Sequence, residues 1–439
     1  MFKGILATIV FSTIFSSLAL ASRMETGFYL GSEYSDNIFK VINGKKSSEY
    51  TLQPGINFDY MINEPNYDFL FLYNVSHLIY RHQSFDDRTD FEGRARLNWS
   101  ISSNRMNWIS DLQSKRITIS SLDVDIPYNL TTRHVFQTGP SFSQRLGATD
   151  KLYVQVRYIK NYFEDTDIPG GEYYNIDTYL NHLISNSSTI NFGVKYSDAR
   201  TELQILEAQK TTAYLSYRYL YGNYNFNITA GINKIKTKYE FNVNRPYINA
   251  AFNYRNNNVN LNIFANRELT DSSIGLSLNS FSYRIDEQID ATYDQYQRSE
   301  GNDGNISQSD FVDRKRFEAR FDYNFSGTRT QLKLRAFVND QDYLRTTGDI
   351  IAIGSTAAVE YRWSYSVRSS IGIEQTTTEY RESIGNDNDT YRSGFMEIRY
   401  QFSKKINTSL KIKSIRRDFD YLDDGYDETV ITFKINAAL

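Results

Sequence analysis

The chain has 439 residues, and its 49 lysines and arginines nearly balance its 52 aspartates and glutamates. With this balance, the overall charge gives no reason to expect nucleic acid or another polyanion as a partner. Cysteine is absent, which excludes disulfide scaffolds, thiolate metal sites and cysteine nucleophiles.

Aromatic residues are the strongest compositional signal, with 35 tyrosines and 28 phenylalanines. The mean hydropathy of −0.54 shows that they are interleaved with polar residues. Tyrosine favours β-strands and water–hydrocarbon boundaries. No shift of composition marks a domain boundary, so residues 22–439 are expected to form one domain.

The N-terminus has the pattern of an export signal. Lys3 gives a short positive region, Gly4 to Leu18 an apolar one, and Ala19-Leu20-Ala21 a small-residue cleavage site. We therefore predict a signal peptide over residues 1–21. Beyond it we find no apolar run of about 18 residues, the length that a transmembrane helix needs. A membrane-bound form is therefore expected to be a closed β-barrel.

Residues 90–113 show the pattern that recurs along the chain. Phe91, Leu97 and Trp99 fall on one face of an alternating run, and Glu92 and Arg94 fall on the other. A turn at residues 102–105 leads into a second alternating run. Together they predict a β-hairpin with one apolar and one polar face. One such hairpin does not separate a soluble sandwich from a membrane barrel.

The repetition of this pattern favours the barrel. Alternating runs of about ten to twelve residues match the roughly 9–11 that cross a bilayer as a tilted strand. Short turns alternate with long polar connections, which is typical of outer-membrane barrels. We predict an all-β fold, a single transmembrane antiparallel β-barrel of about 20 strands, with 22 or 18 as alternatives. The predicted barrel has short periplasmic turns, long extracellular loops and a long external segment at residues 270–313.

The inward face of the predicted strands is polar in two ways. Uncharged amides form one sector: Asn191, Asn225, Asn227, Asn249, Asn253, Asn260 and Asn262. Basic side chains mark the rest: Arg94, Arg96, Arg157, Arg320, Lys333, Arg335, Arg368 and Arg399. Amides suit hydroxyl-rich solutes, and basic residues suit anions. The alternative is that any wet lumen needs a polar, charge-paired lining.

No enzyme, cofactor or metal site is predicted. The four histidines lack metal-ligand spacing, and His82, near Asp86 and Asp87, is the best candidate for a catalytic base. The acidic stretch from Asp418 to Asp427 misses the calcium-loop pattern, because Asp423 stands where that loop needs glycine.

Three stretches resemble the EpsL-like, or porin-2-type, outer-membrane barrels that accompany exopolysaccharide biosynthesis clusters. They are GSEYSDNIFK (Gly31 to Lys40), LQPGINFDY (Leu52 to Tyr60) and QTGPSFSQRLGATDKLYVQVRY (Gln137 to Tyr158). The resemblance implies a role in passing or secreting extracellular polysaccharide, with periplasmic export components as partners. It brings no catalytic residues with it.

Together these observations predict a channel in the cell outer membrane that passes or exports an extracellular polysaccharide or oligosaccharide. The alternatives are a small-solute diffusion porin and a structural or adhesive barrel with a closed lumen. Expected partners are outer-membrane lipid, lipopolysaccharide and the barrel-assembly machinery, which reads an apolar final strand such as Thr429 to Leu439.

Overall fold

The computed structural model of the chain describes residues 22–41, 46–102, 105–119, 126–164, 170–201, 207–238, 242–271, 311–344, 349–381, 387–419 and 424–438. The predicted signal peptide and residues 272–310 of the predicted external segment lie outside them. Within these ranges no helix has the length and apolarity needed to cross a bilayer.

The described residues form 20 strands and one short 3₁₀ helix, Pro127–Asn129. The strands are β1 (Ser22–Ser35), β2 (Glu49–Glu64), β3 (Tyr67–Tyr80), β4 (Arg88–Ser102), β5 (Met106–Thr118), β6 (Leu130–Arg145), β7 (Asp150–Phe163), β8 (Gly171–Ser185), β9 (Ser188–Thr201), β10 (Ala208–Tyr221), β11 (Tyr224–Thr237), β12 (Asn242–Arg255), β13 (Val259–Asp271), β14 (Phe311–Asn324), β15 (Thr330–Tyr343), β16 (Ile350–Arg362), β17 (Val367–Tyr380), β18 (Asp387–Gln401), β19 (Ile406–Phe419) and β20 (Asp424–Ala438).

The sheet closes on itself, which confirms the predicted fold class. Each strand pairs antiparallel with its neighbours in the chain, and β1 pairs with β20 from Gly27 opposite Ala438 to Ser35 opposite Val430. The alternatives of 22 and 18 strands are excluded, because β13 pairs directly with β14 up to Asp271 opposite Phe311. Closure leaves no sheet edge to be satisfied in lipid.

The two rims of the barrel differ. One rim, called the turn rim here, carries short connections such as that between Tyr221 and Tyr224. Gly222 is the first central residue of that turn and has φ of 54°, the positive φ that this position of a type II′ turn requires and that glycine adopts readily. The opposite rim, the loop rim, carries the longer connections. Both chain ends of the barrel therefore lie at the turn rim.

Large apolar side chains are exposed on the outward face of almost every strand. This outward belt includes Phe28, Phe91, Val156, Ile176, Phe192, Val194, Ile232, Phe317, Ile353, Ile371, Ile373, Ile412 and Phe433. Water would penalise such a surface by about 25 cal/mol for each Å² of apolar area. The belt therefore belongs in hydrocarbon, and the fold is that of a transmembrane barrel.

Aromatic side chains border the belt near the turn rim. Trp99, Trp108 and Trp363 are all exposed there on the outward face. The indole Nε1 of Trp108 donates to Thr138 Oγ1 at 3.0 Å, and that of Trp363 donates to Ser369 Oγ at 2.8 Å. A ring that is apolar at one end and hydrogen-bonded at the other suits a membrane interface.

Candidate functional site

The barrel lumen is the candidate site, and the strand register shows which side chains face it. In a strand, alternate residues face opposite sides, so the residues that alternate with the outward belt point inward. All predicted lining residues have this inward parity: Asn191, Asn225, Asn227, Asn249, Asn253, Asn260, Asn262, Arg94, Arg96, Arg157, Arg320, Lys333, Arg335, Arg368 and Arg399. That any of them contacts a solute stays a prediction.

A cavity of about 870 Å³ lies against the inner wall from β4 to β12. Among the described residues its lining includes seven basic side chains: Arg96, Arg105, Arg145, Lys151, Arg157, Lys195 and Lys210. Of the acidic side chains in the described part of the chain, two line it as well, Asp111 and Asp177. The cavity therefore carries an excess of positive charge.

Four inward tyrosines lie in one oblique row across this wall, and we call them the tyrosine row: Tyr153, Tyr179, Tyr214 and Tyr247. On neighbouring strands, Tyr179 and Tyr214 both pair with Gly193, which lies between them. Tyr214 and Tyr247 likewise both pair with Gly231. It begins near the turn rim on β7 and reaches the half of β12 nearer the loop rim. Aromatic faces thus follow one another from near the turn rim to about the middle of the wall.

The rings of this row are fixed by their neighbours. Tyr153 and Tyr179 stack with centroids 4.7 Å apart and planes 15° apart. The Tyr214 ring occupies the space beside Gly193, where a Cβ atom would come within 2.4 Å of the ring carbon Cζ. The Tyr214 hydroxyl donates to Asp177 Oδ1 at 3.0 Å. These contacts hold Tyr153, Tyr179 and Tyr214 in position without a solute.

Lysine cations lie over the same rings. Lys151 Nζ is 4.6 Å from the centroid of Tyr153. Lys195 Nζ is 5.0 Å from the centroid of Tyr214 and 5.8 Å from that of Tyr247. These are cation–π distances. An anionic group that meets the row therefore finds ammonium groups beside the aromatic faces.

Arg157 adds a cation whose described partners are all neutral. Its guanidinium donates to the carbonyl oxygens of Gly139 at 2.9 Å and Pro140 at 2.6 Å, and to the Ser141 hydroxyl. Both cavity carboxylates already have basic partners: Arg94 donates through Nε to Asp111 Oδ1 at 2.8 Å, and Lys195 Nζ lies 3.9 Å from Asp177 Oδ2. The positive excess of the cavity thus survives pairing.

The amide sector forms a second row on the adjoining wall. Asn225 pairs with Asn253, and Asn253 with Asn262. Asn262 in turn pairs with Arg320, and Arg320 with Arg335. The row of uncharged amides therefore leads directly into the basic sector.

The basic sector is a network of ion pairs. Glu318 is contacted by Arg316, Arg320 and Arg335. Further round the wall, Glu360 lies 2.9 Å from Lys333 Nζ and 3.8 Å from Arg368. Because basic groups outnumber acidic ones in both clusters, this wall also favours anions.

The structure also places the weaker candidates. The ring Nδ1 of His82 lies 3.2 Å from the Ser48 carbonyl oxygen and 3.7 Å from Glu49 Oε1, while Asp87 accepts the Tyr80 backbone N–H at 2.9 Å. Residues 420–423 of the acidic stretch lie outside the described part of the chain. Over the described ranges, no three His, Cys, Asp or Glu side chains gather as metal ligands do.

No family model and no curated protein matches the chain. Similar solved structures include the FrpB iron transporter from Neisseria meningitidis (F5-1 variant), with 10% identity, a TM-score of 0.45, and 94% of this chain and 82% of that chain covered. Another is OccK2 (OpdF) from Pseudomonas aeruginosa in complex with glucuronate, with 10% identity, a TM-score of 0.42, and 95% and 98% covered. A third is a loop L8 deletion mutant of OmpT, an outer membrane protein of Vibrio cholerae, with 8% identity, a TM-score of 0.37, and 96% and 100% covered.

Proposed function

We propose that this chain is an outer-membrane channel that passes an acidic polysaccharide or oligosaccharide. The observation that carries the proposal is the tyrosine row, with lysine cations over its rings, inside a lumen cavity of net positive charge. The fold supplies a transmembrane barrel. We attribute the selection of the solute to the side chains that line the lumen.

The row combines the two properties that a charged sugar presents. Sugar rings carry apolar C–H faces, which pack against aromatic faces, and hydroxyl groups, which amides and tyrosine hydroxyls bind. Repeated weak sites of this kind allow a chain to enter and to leave, as conduction requires. A neutral saccharide would use the rings and amides alone, whereas an acidic one would also use the cations.

Membrane placement follows from the barrel's asymmetry. Short turns at one rim and long connections at the other are typical of outer-membrane barrels, with the turns facing the periplasm. We accordingly propose the outer membrane as the location, reached through the predicted signal peptide and the barrel-assembly machinery. Lipopolysaccharide and periplasmic export components are the proposed neighbours.

Flux from lipid vesicles tests this function. The folded chain is reconstituted in vesicles loaded with a galacturonic acid hexamer or with maltohexaose, a neutral hexamer. We expect the acidic hexamer to leave faster than in protein-free vesicles and faster than the neutral one. Equal release of both would indicate a general diffusion porin, and no release of either would indicate a closed barrel.

Neutralising Arg157 is expected to weaken binding of the acidic hexamer about tenfold, or ~1.4 kcal/mol. The Arg157→Gln variant removes a cation with only neutral described partners but keeps an amide that can donate to the Pro140 carbonyl. Calorimetric titration of the detergent-solubilised barrel measures the affinity. The control is Lys160→Gln on the outward face of the same strand, which removes a charge paired with Glu172. Equal loss in both variants would contradict a role for Arg157 in the lumen.

Displacing one ring of the tyrosine row is expected to weaken the same binding about fivefold. In Gly193→Val, the new side chain occupies the position of the Tyr214 ring, which must leave the row and its hydrogen bond to Asp177. The matched control is Gly394→Val, because a Cβ at Gly394 meets nothing within 4 Å. Unchanged affinity in Gly193→Val would remove Tyr214 from the solute path.

A further inference from the structure

Three guanidinium groups converge on one carboxylate in the basic sector. Arg316 donates through an Nη atom to Glu318 Oε2 at 2.7 Å, and Arg320 donates through Nε to Glu318 Oε1. Nε of Arg335 lies 3.2 Å from the same Oε1. The Glu318 side chain is 7% exposed, whereas that of Arg320 is 41% exposed. The carboxylate is covered, and the arginines are what the lumen meets.

The donors of this cluster exceed what one carboxylate can accept. Three guanidinium groups carry two more positive charges than Glu318 neutralises, and each offers five N–H donors. Nε of Arg335 is buried and has no hydrogen-bond acceptor, although it lies beside Glu318 Oε1. Planar arginine groups are the side chains best suited to bind carboxylates in two-point contacts. The three arginines therefore form a site suited to a carboxylate, and the Glu318 side chain already occupies it.

The cluster also lies on a path that a solute would follow. Glu318 is in the middle of β14, and the amide row runs through Asn262 to Arg320. The Phe337 ring lies 5.3 Å from the Arg335 guanidinium carbon and offers an apolar surface beside the charge. Uncharged amides, an aromatic face and a cluster of arginines thus follow one another along the wall.

We propose that Arg316, Arg320 and Arg335 bind a carboxylate of an acidic sugar, and that Glu318 is the resident counter-ion which this carboxylate displaces. The ligand class rests on the proposed function, but binding here does not require passage. A tethered carboxylate competes at a high effective concentration. Competition keeps solute binding weak and reversible, which a conducting site needs.

A thermodynamic cycle tests the proposal, with calorimetric titration of the galacturonic acid hexamer into the detergent-solubilised full chain. Glu318→Gln removes the competitor, and we expect about tenfold tighter binding. Arg335→Gln removes one donor group, and we expect several-fold weaker binding. The double variant loses both the competitor and one donor group, so its affinity is expected to lie between those of the two single variants, and the departure from additivity measures the coupling of the two residues.

Glu360→Gln is the matched control. It removes the same charge from the lumen at a second basic cluster, that of Lys333 and Arg368, so a general increase in positive potential would strengthen binding equally in both variants. Equal strengthening, or no change in Glu318→Gln, overturns the proposal. If Glu318→Gln fails to fold, the Arg335→Gln arm still decides, because unchanged affinity there overturns the proposal as well.

The outcomes also separate this site from the proposed function. If the acidic hexamer leaves the vesicles but the Glu318 and Arg335 variants bind it as the wild type does, the channel function is supported and the proposed site is wrong. If the variants change affinity as expected but the hexamer does not leave the vesicles, the binding site is supported and the channel function is wrong.

Discussion

Replacing Tyr153 and Tyr179 together with alanine is expected to weaken binding of the acidic hexamer about a hundredfold, or ~2.7 kcal/mol. The two rings stack at 4.7 Å on neighbouring strands, and Lys151 Nζ lies over the Tyr153 ring. An aromatic contact contributes about 0.5–1.5 kcal/mol beyond the area it buries. Losing two rings removes two such contacts together with the surface over which Lys151 lies.

The chain offers matched controls for this double variant. Tyr158 and Tyr174 are also a ring pair on β7 and β8, with centroids 5.4 Å apart, but they point outward. Their replacement with alanine is expected to leave affinity unchanged. Replacing Tyr153 and Tyr179 with phenylalanine, which keeps the rings, is expected to retain most of the binding. A hundredfold loss in the outward pair would assign the effect to the fold instead of the row.

The Asp111→Ala variant is expected to lower the free energy of unfolding by about 3 kcal/mol or more. Asp111 is 3% exposed and Arg94 is 7% exposed, and the two groups form a two-point ion pair that Gln137 Nε2 joins at 3.4 Å. The substitution removes the carboxylate with which this buried guanidinium forms its two-point contact. Urea unfolding in lipid vesicles, followed by the fluorescence of Trp99 and Trp108, measures the loss.

An exposed ion pair provides the comparison for Asp111. Lys160 and Glu172 have side chains 50% and 39% exposed, and such pairs contribute about 0–1 kcal/mol. Glu172→Ala should therefore change unfolding little. If Asp111→Ala were equally mild, the Arg94 pair would be solvated in the lumen and would not hold the strands together.

Sequence reasoning predicts the fold well because a barrel repeats one local rule. The alternation of apolar and polar residues, as at Phe91 and Arg94, predicts that a segment is a strand. It also predicts which face of the sheet each side chain lies on. Closure then follows from the number of hairpins and the cost of open edges in lipid. The strands are nevertheless longer than predicted, with 13 to 16 residues instead of ten to twelve. Pairing continues beyond the hydrocarbon layer, where apolar periodicity no longer marks it.

The site is less accessible to sequence reasoning because it depends on register between strands. Parity alone places Tyr179 and Tyr214 inward, but nothing in either strand shows that Gly193 lies between them in the paired sheet or that their rings share one row. The stagger of neighbouring strands produces that row. In the Glu318 cluster, too, some residues come together by spacing within one strand and one comes from a paired strand. Arg316, Glu318 and Arg320 share a face by spacing, whereas Arg335 joins them only through pairing with Arg320.

Single-channel recording of the refolded chain in a planar bilayer tests the central claim most directly, with the galacturonic acid hexamer or maltohexaose added to either side. We expect steady conductance steps that the acidic hexamer interrupts, with longer interruptions than maltohexaose causes and shorter ones after Tyr153 and Tyr179 are replaced with alanine. A barrel without conductance, or steps that neither sugar interrupts, would contradict a channel for acidic saccharides.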